Sequence, residues 1–159
     1  MSATETGPIE SRLVELGLSL PEAAAPAANY VPYVQTGNLV VISGQITLEN
    51  GALKYVGRVG QDFTTEQAYD AAKLCGLNLI AQLKAACGGD LERVTRVVRL
   101  GGFVNCTADF TDQPKVINGA SDLMAEVFGD KGKHARAAVG VNTLPLGVAV
   151  EVEGLFEIE

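Results

Sequence analysis

Cysteine, histidine and positive charge are all scarce in this chain, and each shortage removes a class of function. Cys75, Cys87 and Cys106 form an odd set with no CxxC pair. That argues against a disulfide framework and against a cysteine zinc site. Three cysteines of this kind read as small core hydrophobes, and a reducing cytoplasm is the expected compartment. With His134 as the single histidine, a His-rich metal site is excluded.

Positive charge is outnumbered, with 12 basic residues against 19 acidic and a net charge of −7. Nucleic-acid binders gather Lys and Arg to neutralise phosphates. The one loose basic cluster is Lys131-Gly132-Lys133-His134-Ala135-Arg136. Global charge therefore opposes tight RNA or DNA binding and leaves room for a local pocket for a small anion. Long apolar runs are missing as well; Leu39-Val40-Val41-Ile42 is typical, so no membrane span is expected. The start, MSATETGPIESR, has neither the basic opening nor the apolar stretch of a secretory signal. GxSxG, GxGxxG and GxxxxGK[ST] do not occur, which argues against a nucleophile elbow and against phosphate-cradling loops.

What is present suits one folded domain: 159 residues, 47% hydrophobic and 19% charged. Ile9 to Leu18 reads as a short amphipathic helix, broken by Pro21-Glu22-Ala23-Ala24-Ala25-Pro26. Residues 1–29 are thus an N-terminal extension ahead of a body at 30–159. Tyr33 to Gln35 and Leu39 to Ser43 flank a Thr36-Gly37-Asn38 turn. Gln45 to Leu48 and Leu53 to Val56 would pair across Asn50-Gly51.

Thr64 to Ala86 is the clearest helix. Thr64 and Gln67 have capping-box spacing, and Ala68, Ala72, Cys75, Leu79, Leu83 and Ala86 form one stripe. Leu91 to Asn105 reads as a long strand, with a bulge or bend expected at Gly101-Gly102. A second helix runs from Gln113 to Phe128, and strands follow at Arg136 to Val141 and Val148 to Ile158. The last strand alternates Val148, Val150, Val152, Phe156 and Ile158 with Ala149, Glu151, Glu153, Leu155 and Glu157.

The expected fold is α+β, a mixed sheet with two main helices on one face. Its other face, around Val41, Val98 and Val139, is too apolar to stay wet. Burial between copies of the chain is expected.

Two residues stand out chemically. Arg136 opens an apolar strand after a polar loop, and a guanidinium matches a carboxylate bidentately. A surface arginine with a packed stem and a wet head fits the same pattern. Glu151 lies mid-strand between Val150 and Val152, where a carboxylate can orient or deprotonate water. A solvated face shared with Glu153 and Glu157 fits equally. The hairpin between the two strands would bring Arg136 near Glu151.

The stretch Ala135-Arg136-Ala137-Ala138-Val139-Gly140-Val141-Asn142-Thr143-Leu144-Pro145-Leu146-Gly147-Val148-Ala149-Val150-Glu151-Val152-Glu153 resembles the signature of the Rid family, the YjgF-like reactive-intermediate deaminases. Pro32-Tyr33-Val34-Gln35, Gly37-Asn38, Ile42-Ser43-Gly44-Gln45, Phe103-Val104-Asn105 and Asn118 extend the likeness over about residues 30 to 159. The resemblance implies a chorismate-mutase-like α+β fold and a homotrimer with pockets between subunits. It implies hydrolysis of reactive enamines and imines, such as 2-aminoacrylate, to 2-keto acids and ammonia, with no metal or organic cofactor expected.

In that scheme Arg136 holds a substrate carboxylate and Glu151 positions the attacking water. Tyr33, Ser43, Gly44, Asn118 and Ala138 line the pocket. The chain departs from many members in having Ala138 where they carry Cys, in its N-terminal helix, and in a longer segment between Asn118 and Arg136. The same arginine would serve a non-catalytic trimer that binds a metabolite. The endoribonuclease activity often attached to this family sits badly with the net charge.

Overall fold

The computed structural model describes residues 7–26 and 28–159. Helix α1 (Pro8–Glu15) comes first. Strands β1 (Tyr33–Thr36) and β2 (Leu39–Gln45) form a hairpin. The short strands β3 (Leu48–Glu49) and β4 (Ala52–Leu53) pair separately. Helix α2 (Thr65–Ala86), strand β5 (Val94–Asn105), helix α3 (Gln113–Phe128) and strands β6 (Ala135–Val141) and β7 (Val150–Ile158) complete the chain. The main sheet has the order β1-β2-β7-β5-β6. Only β5 and β6 run parallel, joined through α3. This is the expected α+β arrangement, a mixed sheet with both long helices on one face.

Local chemistry sets the helix ends. The Gln67 backbone N–H donates to Thr64 Oγ1 at 3.2 Å, and the Thr64 N–H donates to Gln67 Oε1 at 2.9 Å. This closed capping box satisfies two otherwise orphaned donors of α2. Pro114 stands in the first turn of α3, where its missing N–H costs nothing. The apolar stripe of α2 meets the buried row of β7: Leu79, Leu83, Val150, Val152 and Phe156 are all fully buried. Helix α1 is attached to this core, with Ile9 and Leu13 buried and Lys84 paired to Glu10 at 2.7 Å. The three cysteines are free and buried. Among the described residues no helix is long and apolar enough to cross a membrane.

Three expectations need correction. Gly101-Gly102 makes no bulge; the irregularities of β5 fall at Val94/Arg96 and Val97/Arg99. A β-carbon on Gly102 would collide with Ile117, so the missing side chain is what lets α3 sit close on the sheet. The second hairpin is shorter than its sequence suggests. The main chain leaves the sheet after Gln45, just past an irregularity between Ile42 and Gln45. Buried Asn78 of α2 then donates to the Ile46 and Leu48 carbonyls at 3.1 and 2.7 Å, taking acceptors a longer strand would have used. Finally, β6 and β7 are not neighbours, because β5 lies between them.

The face away from the helices carries exposed valines. Val34 is 52%, Val41 47% and Val139 46% accessible. Phe103, Leu155 and Val98 are half-buried.

Candidate functional site

Arg136 lies one residue into β6, at the edge of the sheet, across from Leu100 of β5. Leu100 is fully buried under the helices, so Arg136 also points to the helix side. There α3 holds its guanidinium by three bonds. Nη1 donates to Asn118 Oδ1 at 2.8 Å and to Ser121 Oγ at 3.0 Å, and Nη2 donates to the Pro114 carbonyl at 3.1 Å.

All three partners are neutral. No carboxylate among the described residues pairs with Arg136. Asp122, the acid next to Ser121, instead accepts from Tyr69 Oη at 2.6 Å, and that bond is the main reason the phenol is pushed up to about 12. A guanidinium has five N–H donors. Three are used here, which leaves the Nε–H and one Nη2–H, on two nitrogens of the same fork. That is the donor pair a carboxylate accepts bidentately. Ala138 lies two residues on, on the same side of β6 and opposite Gly102.

Glu151 sits elsewhere. It lies on β7 across from Phe103, between buried Val150 and Val152, and so leaves the sheet on the face away from the helices. Its carboxylate lies against Gly44 of β2, where a β-carbon would meet Cδ at 2.9 Å. Burial raises the Glu151 pKa above the ordinary carboxylate value, and the like charge of Glu153 raises it further.

A cavity of about 150 Å³ opens beside Glu151, with Gly44, Tyr30, Pro32, Ile46 and Leu146 in its wall. Leu146 is 64% exposed, in the left-handed region at φ 59°. Its turn carries an apolar side chain to the cavity edge. Next to Gly44, the Ser43 hydroxyl donates to the Val31 carbonyl at 2.8 Å.

The residues singled out in the sequence thus form two clusters. Arg136, Asn118 and Ala138 belong to one, and Glu151, Gly44 and Ser43 to the other. Tyr33 joins neither: it pairs with Ile42 on the outer strand and packs half-buried against the core. The aromatic beside Glu151 is Tyr30.

Arg136 and Glu151 do not meet within one chain. The register aligns Arg136 with Leu100 and Leu100 with Gly154, three residues from Glu151. Two strand spacings across and three residues along separate their backbones by roughly 14 Å, on opposite faces. The expected contact through a shared hairpin fails because β6 pairs parallel with β5.

Ser121 is not singled out in the sequence, and His134 stands out there only as the lone histidine of a loose basic cluster, although signals for their pairing with Arg136 are present. Ser121 is one helical turn from Asn118, on the same side of α3. His134 is two residues before Arg136 on the approach to β6.

Comparison with known proteins bears on the family and the fold. The family described as "YjgF/chorismate_mutase-like, putative endoribonuclease" matches residues 10–157. Protein TCP17 of Trypanosoma cruzi is 46% identical over 159 residues, 99% of each chain. A 2-iminobutanoate/2-iminopropanoate deaminase of Dermatophagoides farinae is 30% identical over 142 residues, 89% of this chain and 95% of that one. The crystal structure of Atu1372 from Agrobacterium tumefaciens, of unknown function, superposes with a TM-score of 0.89 at 48% identity. That match covers 95% of this chain and 92% of the other.

Proposed function

The chain belongs to the YjgF/Rid family, and from that premise we propose that it hydrolyses small 2-imino acids to 2-keto acids and ammonia. The observation that carries this reading is the guanidinium of Arg136. It is oriented by three neutral acceptors, paired with no acid among the described residues, and left with two adjacent donors. A small α-carboxylate is the complement of that fork.

An imine carbon is already electrophilic, so the reaction needs little more than water held in place. Water adds to the C=N carbon. The resulting carbinolamine then expels ammonia and leaves the keto acid. Glu151, with its raised pKa, is the group to hold the water and take its proton, since a base works best with a pKa near the working pH.

Arg136 and Glu151 of one chain face opposite sides of the sheet, so the complete pocket lies between copies. In a homotrimer one subunit gives Arg136, Asn118 and Ala138, and its neighbour gives Glu151, Gly44 and Ser43. The exposed Val34, Val41 and Val139 support burial of that face by another copy.

The test is ammonia release from freshly generated 2-aminoacrylate or 2-iminobutanoate. The parent should exceed the buffer rate, and Arg136→Ala should fall back to it. An Arg136→Ala protein as fast as the parent sinks the proposal. Stabilisation by a keto acid without ammonia release would point to a metabolite-binding trimer instead.

A further inference from the structure

His134 is the single histidine of the chain, and its ring is held at both nitrogens. Nδ1 lies 2.6 Å from the Gly132 carbonyl and Nε2 lies 2.8 Å from Ser121 Oγ. A carbonyl only accepts, so Nδ1 carries the proton. In the neutral ring Nε2 then accepts from the Ser121 hydroxyl. With its proton committed to His134, Ser121 Oγ turns a lone pair to Arg136 Nη1, 3.0 Å away. The direction of every bond follows: Arg136 donates to Ser121, Ser121 to His134, and His134 to Gly132.

Gly132 is a firm end for this chain. It is buried, and a β-carbon there would run into the Met124 main chain of α3. The same groups, Ser121, Gly132, His134 and Arg136, line one open groove with Ala125 and Lys133. The proposed hydrolysis draws on Ser121 only as one acceptor of Arg136 and does not use His134.

We infer that Ser121 and His134 are positioning residues, a relay that fixes the plane of the Arg136 guanidinium so that its free donor pair meets the ligand carboxylate. This rests on the reading of Arg136 as the carboxylate anchor. An arginine stem has several soft torsions, and each anchored donor reduces the freedom lost when a ligand binds. Asn118 and Pro114 fix two points of the fork. Ser121 adds a third, but a free serine hydroxyl would rotate. His134 removes that rotation.

The experiment uses 2-oxobutanoate as probe, with dissociation constants from calorimetry and ring resonances of the sole histidine from NMR. The parent should bind, and Arg136→Ala should bind at least about 30-fold more weakly. Ser121→Ala and His134→Ala should each weaken binding by about tenfold. Ser121→Thr, which keeps the hydroxyl, should restore it. In the parent the His134 resonances should shift as 2-oxobutanoate is added; in Ser121→Ala they should not.

Loss of binding in Arg136→Ala alone, with parent-like Ser121→Ala and His134→Ala, overturns the relay and leaves the anchor standing. A parent that does not bind 2-oxobutanoate overturns both. Should an alanine variant fail to fold, the parent spectrum decides by itself. Ring resonances that ignore a bound keto acid overturn the relay.

Discussion

The carboxylate of Glu151 occupies the space that a side chain at Gly44 would fill. The glycine is therefore tied to the position of the acid, and the pair can be tested together. Gly44→Ala should force the carboxylate off the strand. The colliding atoms all belong to one flexible side chain, so the variant should fold with little loss of stability. Imine hydrolysis should fall by more than tenfold while keto-acid affinity, set by Arg136, changes little. A Gly44→Ala protein with parental turnover would remove Glu151 from the mechanism.

Arg136 should not tolerate a lysine. Lys brings charge but a single ammonium in place of the planar fork. Arg136→Ala and Arg136→Lys should both lose about 2–3 kcal/mol of keto-acid binding, roughly 30- to 150-fold. Thermal unfolding should move little, because the side chain is half-exposed and its partners are neutral. Calorimetry on the two variants decides it.

Glu151 makes stability fall as pH rises. Its folded pKa is raised, by burial first and by Glu153 second. Between the ordinary glutamate value and that raised value, the folded chain holds a proton the unfolded chain has released. Stability is then greatest below the window and drops through it. Glu151→Gln should flatten this part of the stability curve and be at least as stable as the parent at pH 7, yet be inactive. Urea titrations across the window would show the change in slope. An unchanged slope refutes the assignment.

The valine face should hold copies together. Sedimentation of the parent at micromolar concentration should give a species heavier than the 16.6 kDa chain. Val41→Glu and Val139→Glu place charge on that face and should shift the protein to monomer. Hydrolysis should disappear with assembly if the pocket is shared. A parent that runs only as the single chain ends the shared-pocket reading.

Much of this architecture was legible because local chemistry decided it. Thr64 and Gln67 mark the start of α2 without reference to the rest of the chain. Pro114 and Gly129 bracket α3 in the same way, and the alternation from Val150 to Ile158 marks which side of β7 is dry. Strand order was not legible. Nothing in Arg136 or Glu151 says that β5 will slip between their strands; that depends on α3 carrying the chain back into parallel pairing. Gly101-Gly102 was misread for a related reason. The absent side chain of Gly102 answers Ile117 of α3 and that of Gly101 answers Glu153 of β7, not the turn chemistry of their own strand. Ser121 and His134 show a third limit: neither is unusual in its own segment, and only their meeting at Arg136 gives them a role.

The position of β7 in the sheet has a consequence for synthesis. It follows β1, β2, β5 and β6 in the chain, yet it lies between β2 and β5 and pairs with both. The β1–β2 hairpin and the β5–α3–β6 unit can form while the chain is still growing, but they have no direct strand contact with each other. Their edges stay unpaired until β7 emerges. Folding of the sheet is therefore a late, long-range event of the kind that proceeds slowly. Those two waiting edges are where a nascent chain would meet a chaperone, or another nascent chain.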